Sequence, residues 1–256
     1  MENKTKYIKG LDGLRALAVV MVLAYHLKIP FAKSGLLGVT VFFVLSGFLI
    51  TRILITEIEE THTIDLKNFW VRRIRRLIPA VLSMAVVIIF VSAVVNRVVF
   101  TKGCKDFIAS VLGFNNWWQI FNKVSYFEAA GAPSPFTHCW SLAIETQFYL
   151  IYPILLLLLS RVFRKRKKRG KVFAGLSALL AVVSMILMAV LYNPNGDPSR
   201  VYYGTDTRAF ALLIGALAAI QLEYRIIKVR LPRKIWALIG SISLVILTCM
   251  MIFISS

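Results

Sequence analysis

The chain has 256 residues, 58% of them hydrophobic and 17% charged, with 31 Lys or Arg against 12 Asp or Glu and a formal net charge of +19. About a quarter of a soluble domain's residues are usually charged. This composition, with a mean hydropathy of +0.73, excludes such a domain and predicts several bilayer spans of about twenty residues each. Nucleic acid, the usual partner of strongly basic proteins, is set aside because the basic residues fall in short clusters between apolar runs.

The first apolar stretch, from Leu14 to Leu27, follows Lys4, Lys6 and Lys9 in the manner of a signal peptide. No small-x-small cleavage site comes after it and a second apolar run starts at Leu36, so it is read as a retained helix. Hydropathy predicts seven spans, near 14–32, 36–55, 77–98, 138–160, 172–192, 206–223 and 236–254. They must be helical because hydrocarbon offers no partner for an exposed backbone amide. Segments 1–15, 51–76, 161–171 and 224–234 hold 4, 6, 8 and 5 basic residues, 23 of the 31 in the chain. Cytoplasmic loops carry the Lys/Arg excess. The expected architecture is therefore an all-α, multi-pass bundle in the plasma (inner) membrane, in contact with its lipids, with a cytoplasmic N-terminus.

The basic run from Arg161 to Lys171 is read as a topogenic anchor that also touches anionic headgroups. Segment 99–137 is the longest outside loop, and its Trp117, Trp118, Tyr126 and Phe127 suit either the headgroup level or glycan stacking. Residues 193–198 (Asn-Pro-Asn-Gly-Asp-Pro) read as an external turn. Cys104, Cys139 and Cys249 show no metal spacing and are taken as unpaired thiols. No metal site is expected.

Ionisable groups inside spans cost roughly 2.5–3.5 kcal/mol on insertion scales, so each calls for a reason. In the first helix, Arg15 and His26 lie eleven residues apart, which puts them within about 20° of one face and roughly 16 Å apart along the axis. His26 is either a packed histidine near the outer interface or a proton acceptor, the role an imidazole fills near neutral pH. His62 reads as a solvated surface residue. In the fourth helix His138, Ser141, Glu145, Tyr149 and Tyr152 recur at spacings of three and four, a polar stripe that lines a cavity or a helix interface. Glu145 is either half of an ion pair, with Arg15 or Arg208, or a catalytic group. Gly38, Ser46 and Gly47 of the second helix read as close-packing positions. Arg72, Arg73, Arg75 and Arg76 precede Pro79. They are either a topology signal or, since guanidinium forks bind phosphate bidentately, a phosphate site.

Six blocks carry a resemblance: Leu11-Asp-Gly-Leu-Arg-Ala-Leu-Ala18; Tyr25-His26; Gly38-Val-Thr-Val-Phe-Phe-Val-Leu-Ser-Gly-Phe-Leu-Ile50; Arg72-Arg-Ile-Arg-Arg-Leu-Ile-Pro79; Trp140-Ser-Leu-Ala-Ile-Glu145 with Gln147-Phe-Tyr149; and Tyr203-Gly-Thr-Asp-Thr-Arg208. In this order they resemble the acyltransferase type 3 family of bacterial integral-membrane O-acyltransferases. The resemblance implies that an acyl group, usually acetyl, passes from cytoplasmic acyl-CoA to a hydroxyl of an envelope glycan. It implies catalytic roles around His26, Glu145 and Arg15. It also implies acyl-CoA binding by Arg73 and Arg76, with Arg72 (paired with Arg75) as the shifted alternative, and substrate contacts at Arg208, Trp140 and Tyr149. The family core has about ten spans and this chain about seven of the usual length. The 256 residues are thus expected to be one transmembrane domain shortened at its C-terminus, completed by a further portion or a partner chain. Intramembrane His, Glu and Arg also mark small-solute transporters, the alternative reading, although no inverted repeat or pair of broken helices accompanies them here.

Overall fold

The computed structural model describes residues 8, 10–29, 32, 34–127, 134–227 and 231–253. Among these there are ten helices and no strand: α1 (Gly10–His26), α2 (Leu37–Thr61), α3 (Leu66–Val95), α4 (Arg97–Val111), α5 (Asn115–Phe121), α6 (Cys139–Val162), α7 (Arg166–Leu191), α8 (Ser199–Tyr203), α9 (Thr205–Tyr224) and α10 (Arg233–Phe253). Five of them, α2, α3, α6, α7 and α9, are long and apolar enough to cross a membrane. The outward face of α3 carries Phe90 and Val94 at 71% and 76% exposure, side chains that lipid solvates and water does not.

Two of the seven predicted spans differ from that set. At 17 residues, α1 is about 25 Å long, short of the roughly 30 Å hydrocarbon thickness. It ends at His26 because Lys28 takes a left-handed conformation (φ 55°). The Ile29 amide then donates to the Ala24 carbonyl (3.0 Å) and the Lys28 amide to that of Tyr25 (2.9 Å), the paired bonds of a Schellman stop. A lysine in the position that glycine usually fills hid this stop from hydropathy. The last predicted span corresponds to α10, whose apolar run Lys234–Met250 is shorter than the other five. It leans on the Met21–Ala24 face of α1 through Leu247 and Ile252.

The third predicted span begins earlier than expected. Asp65 caps α3 by accepting from the Asn68 amide (3.0 Å), and the bonds from Asn68 hold its carboxyl below the usual range. The 30 residues of α3 run about 45 Å, so its arginine-bearing first turns extend past a 30 Å hydrocarbon layer. The segment 99–137, expected as an outside loop, is also more structured than its sequence suggested. Asn96 ends α3 and starts α4, its side chain accepting from the Val98 and Val99 amides (3.0 and 3.2 Å).

At the centre α9 lies between α2 and α7. Close approach of α2 and α9 is reciprocal: a Cβ on Gly47 would strike the Leu212 carbonyl, and one on Gly215 the Val44 carbonyl. Gly38 meets Ala18 of α1 in the same way. Gly38 and Gly47 therefore pack as expected.

Ion pairs gather the basic segments at one end of the bundle. Glu59 of α2 pairs with Arg169 and, at 2.9 Å, with Arg166 of α7, and it accepts from the Tyr224 hydroxyl of α9 (2.7 Å). Arg52 pairs with Glu223 (2.9 Å), and Arg166 also donates to the Glu223 carbonyl (3.0 Å). Two residues of the basic run 161–171, Arg166 and Arg169, thus also join helices. Arg169 is 5% exposed and ties α7 to Glu59 of α2 and Tyr224 of α9, because a buried guanidinium needs an anion beside it.

Candidate functional site

The sequence-predicted residues fall into two stations joined by α6. At the basic end Glu145 accepts from the Tyr149 hydroxyl (2.9 Å), which also lies 3.1 Å from Ser46 Oγ of α2. Arg73 reaches in from α3, its guanidinium 5.9 Å from the Tyr149 ring centroid and 5.5 Å from that of Phe69. Trp70 fixes this stretch of α3 by donating to the Tyr149 carbonyl (3.0 Å). Arg15 and Arg76 are close enough to act on Glu145 through space. Arg15 itself bonds Asp12 at 3.2 Å. Arg72 is turned outward, 4.0 Å from Glu57, and Arg75 is exposed. Arg73 is set apart from its neighbours by a buried Nε with no hydrogen-bond partner among the described residues, a donor left unsatisfied.

The second station lies at the opposite end, where α1 stops and α6 starts. The His26 Nδ1 lies 2.7 Å from the Val22 carbonyl. A carbonyl only accepts, so Nδ1 carries the proton and Nε2 of the neutral ring carries the lone pair. The Tyr126 hydroxyl lies 3.3 Å from Nε2. Burial pushes the Tyr126 phenol up to about 12, so it keeps its proton and donates it to Nε2. His138 stands edge-on to His26, ring centroids 4.6 Å apart. Burial first, and His26 second, hold His138 below the ordinary histidine value. Trp140, Tyr202 and Tyr126 wall the site, with Trp140–Tyr202 centroids at 4.5 Å and Tyr126–Tyr202 at 4.6 Å.

His138 and Tyr149 are eleven residues apart on α6, so the two stations are roughly 16 Å apart along the axis. His26 therefore touches neither Glu145 nor Arg15. Its ring is oriented by the Val22 carbonyl and Tyr126, and Glu145 belongs with the arginines. Arg208 stacks over the Tyr202 ring (4.6 Å), donates to the Tyr202 carbonyl (3.3 Å) and meets the His26 station through that tyrosine. Among the described residues no group of three or more His, Cys, Asp or Glu is placed to hold a metal, and all three cysteines are free.

A family model described as an acyltransferase domain matches residues 8–256. The chain belongs to that family. Peptidoglycan O-acetyltransferase OatA of Listeria monocytogenes is 47% identical over 248 residues, covering 97% of this chain and 39% of the relative. Putative peptidoglycan O-acetyltransferase YrhL of Bacillus subtilis is 47% identical over 239 residues, 92% of this chain and 37% of the relative. A putative O-acetyltransferase of Staphylococcus aureus (strain COL) is 44% identical over 217 residues, 85% of this chain and 35% of its own length. The chain thus spans less than two-fifths of these relatives. No solved structure matches it. Family membership does not favour the transporter reading.

Several residues of this acyltransferase domain gained their place only from the structure. Ser46, expected to serve packing alone, faces Tyr149 and Glu145. Behind Tyr126, a polar network locks the α4–α5 loop to α6 and α9. Gln147 donates to the Gly113 carbonyl (3.0 Å) and to Asn116 Oδ1 (2.9 Å), Asn116 donates to the Tyr203 carbonyl (3.0 Å), and Thr205 donates to Gln147 (2.5 Å). Asp106 accepts from Trp118 (2.7 Å) and Gln119 (3.1 Å). Asn115, Asn116 and Gln119 are fully buried and held there by these hydrogen bonds, although Gln119 Oε1 has no partner among the described residues. Their signal in the sequence is the polar run in an apolar chain, beside aromatic residues that suit either the headgroup level or glycan stacking.

Proposed function

We propose that this domain moves an acetyl group from acetyl-CoA in the cytoplasm to a hydroxyl of peptidoglycan or a related envelope glycan. In this reading the N-terminus and the basic end are cytoplasmic, and α1 and α10 complete a seven-span bundle. Arg73 and Arg76, one helical turn apart, bind the CoA phosphates, with Arg15 and Glu145 setting the local charge. The acyl-pantetheine arm runs along the polar stripe of α6 toward His26.

The observation that carries this reading is the hydrogen bonding of the His26 ring, from which its tautomer follows. Its Nε2 lone pair points at a hydroxyl, that of Tyr126, which marks where an acceptor hydroxyl would sit. As that oxygen attacks the thioester carbonyl carbon, Nε2 takes its proton. The tetrahedral intermediate then collapses, the carbon–sulfur bond breaks, and the imidazolium returns its proton to the departing thiolate. The products are an O-acetyl ester and CoA thiol. Trp140 and Tyr202 supply a stacking wall for the acceptor at this end. The identities of the relatives support acetyl as the group and peptidoglycan as the acceptor.

Membrane vesicles of defined sidedness test the reading. Inside-out vesicles carrying the protein, given labelled acetyl-CoA in the bulk, should acetylate a glycan trapped in the lumen. Right-side-out vesicles given the same donor should not. Equal labelling in both orientations, or turnover without any CoA thioester, would overturn it.

A further inference from the structure

A cavity of about 360 Å³ opens between the end of α7, the short α8 and the start of α9. Its walls are Phe127, Met188, Tyr192, Val201 and Tyr202 among other apolar side chains, and Arg208 is its one charged wall residue. The Arg208 guanidinium covers the Tyr202 ring, and its Nε donates to the Tyr202 carbonyl (3.3 Å), its one hydrogen bond among the described residues. No described carboxylate pairs with it. The nearest in sequence, Asp206, is held by both terminal nitrogens of Arg200 (3.1 and 2.7 Å), and Asp197 is held by the Ser199 amide and hydroxyl (2.9 and 2.5 Å).

A guanidinium in an apolar cleft is costly unless an anion neutralises it. The apolar walls restrict what can bring that anion. A sugar or nucleotide would bury hydroxyls against Met188 and Val201 with no partners, whereas an alkyl chain loses nothing there. The neighbouring Val190 and Tyr192 are 73% and 53% exposed, so the rim of the cavity adjoins surface that faces lipid. We infer that this cavity binds an anionic phospholipid, its phosphate on Arg208 and part of an acyl chain between Met188 and Val201. The site is separate from the acyl-transfer reading and stands without it.

Native mass spectrometry of the purified protein, titrated with phosphatidylglycerol or phosphatidylcholine, tests the assignment. Phosphatidylglycerol should be retained in preference, and Arg208→Gln should weaken it roughly tenfold or more, the worth of a charge-assisted hydrogen bond. Met188→Trp, which fills the cavity and keeps the charge, should weaken it as well. Lys167→Gln in the basic run should leave it unchanged, which separates this site from headgroup attraction at the other end. Inorganic phosphate at the lipid's concentration should not compete. Equal retention of the two lipids, preference surviving both cavity variants, or displacement by free phosphate would each overturn the inference. If Arg208→Gln fails to fold, Met188→Trp and the phosphate competition still decide it.

Discussion

Replacing Arg169 by glutamine should destabilise the domain far more than the same change at Lys167, only two residues away in the basic run. Breaking a buried ion pair costs about 3–5 kcal/mol when the surviving charge is left alone. Glu59 would not be left alone. It keeps Arg166 at 2.9 Å and the Tyr224 hydroxyl at 2.7 Å, and its side chain is 21% exposed. The loss is then that of one charge-assisted bond, about 2 kcal/mol, or roughly a 30-fold shift in the unfolding equilibrium. Lys167 is exposed, and its neutralisation should change stability by less than about 0.5 kcal/mol. Unfolding of the detergent-solubilised variants, with Glu59→Gln added to close a double-mutant cycle, measures the coupling directly. Equal effects of the two substitutions, or zero coupling between Arg169 and Glu59, would refute the clamp and return the run to a purely topogenic role.

Three further outcomes are expected. Gly47→Ala should cost about 1–3 kcal/mol, read as a lowered Tm, because its Cβ meets the Leu212 backbone; an unchanged Tm would mean that α2 and α9 are not so closely apposed. Arg73→Lys keeps the charge but loses the planar fork and its stacking on Phe69 and Tyr149, and should weaken acetyl-CoA binding roughly tenfold; equal affinity would leave the cluster topogenic. His138 favours its neutral form in the fold, so only the unfolded chain takes up its proton as pH falls below about 6.5. Stability should therefore drop through that window toward the lower folded value, and His138→Gln should flatten the drop; an identical slope in that variant would show that His138 does not contribute.

Much of the architecture was legible because hydrophobic runs and the grouping of lysine and arginine are read residue by residue. The periodicity of α6 likewise placed His138, Glu145 and Tyr149 on one stripe before any coordinates. What escaped depends on contacts between distant segments. The Schellman stop at Lys28 is invisible to hydropathy, because left-handed lysines carry no composition signal. Tyr126 lies a hundred residues from His26, and nothing local indicates that its hydroxyl meets that ring. Glu145 shares its stripe with His138, but seven residues, about 10 Å, separate the two along the axis, and the bond from Tyr149 that sets it with the arginines is a detail of side-chain geometry. Ser46 looked like a packing residue because small side chains serve both purposes. Arg169 looked like any other basic residue in its run until the partner on α2 was known.

The most direct measurement is acetyl transfer by membranes carrying His26→Ala beside the unaltered protein, with labelled acetyl-CoA as donor and equal amounts of inserted protein confirmed. Loss of labelled glycan with acetyl-CoA binding retained is the predicted result, since the proposed donor site lies at the other end of α6. Undiminished transfer in that variant would contradict the assignment of the imidazole as the proton acceptor.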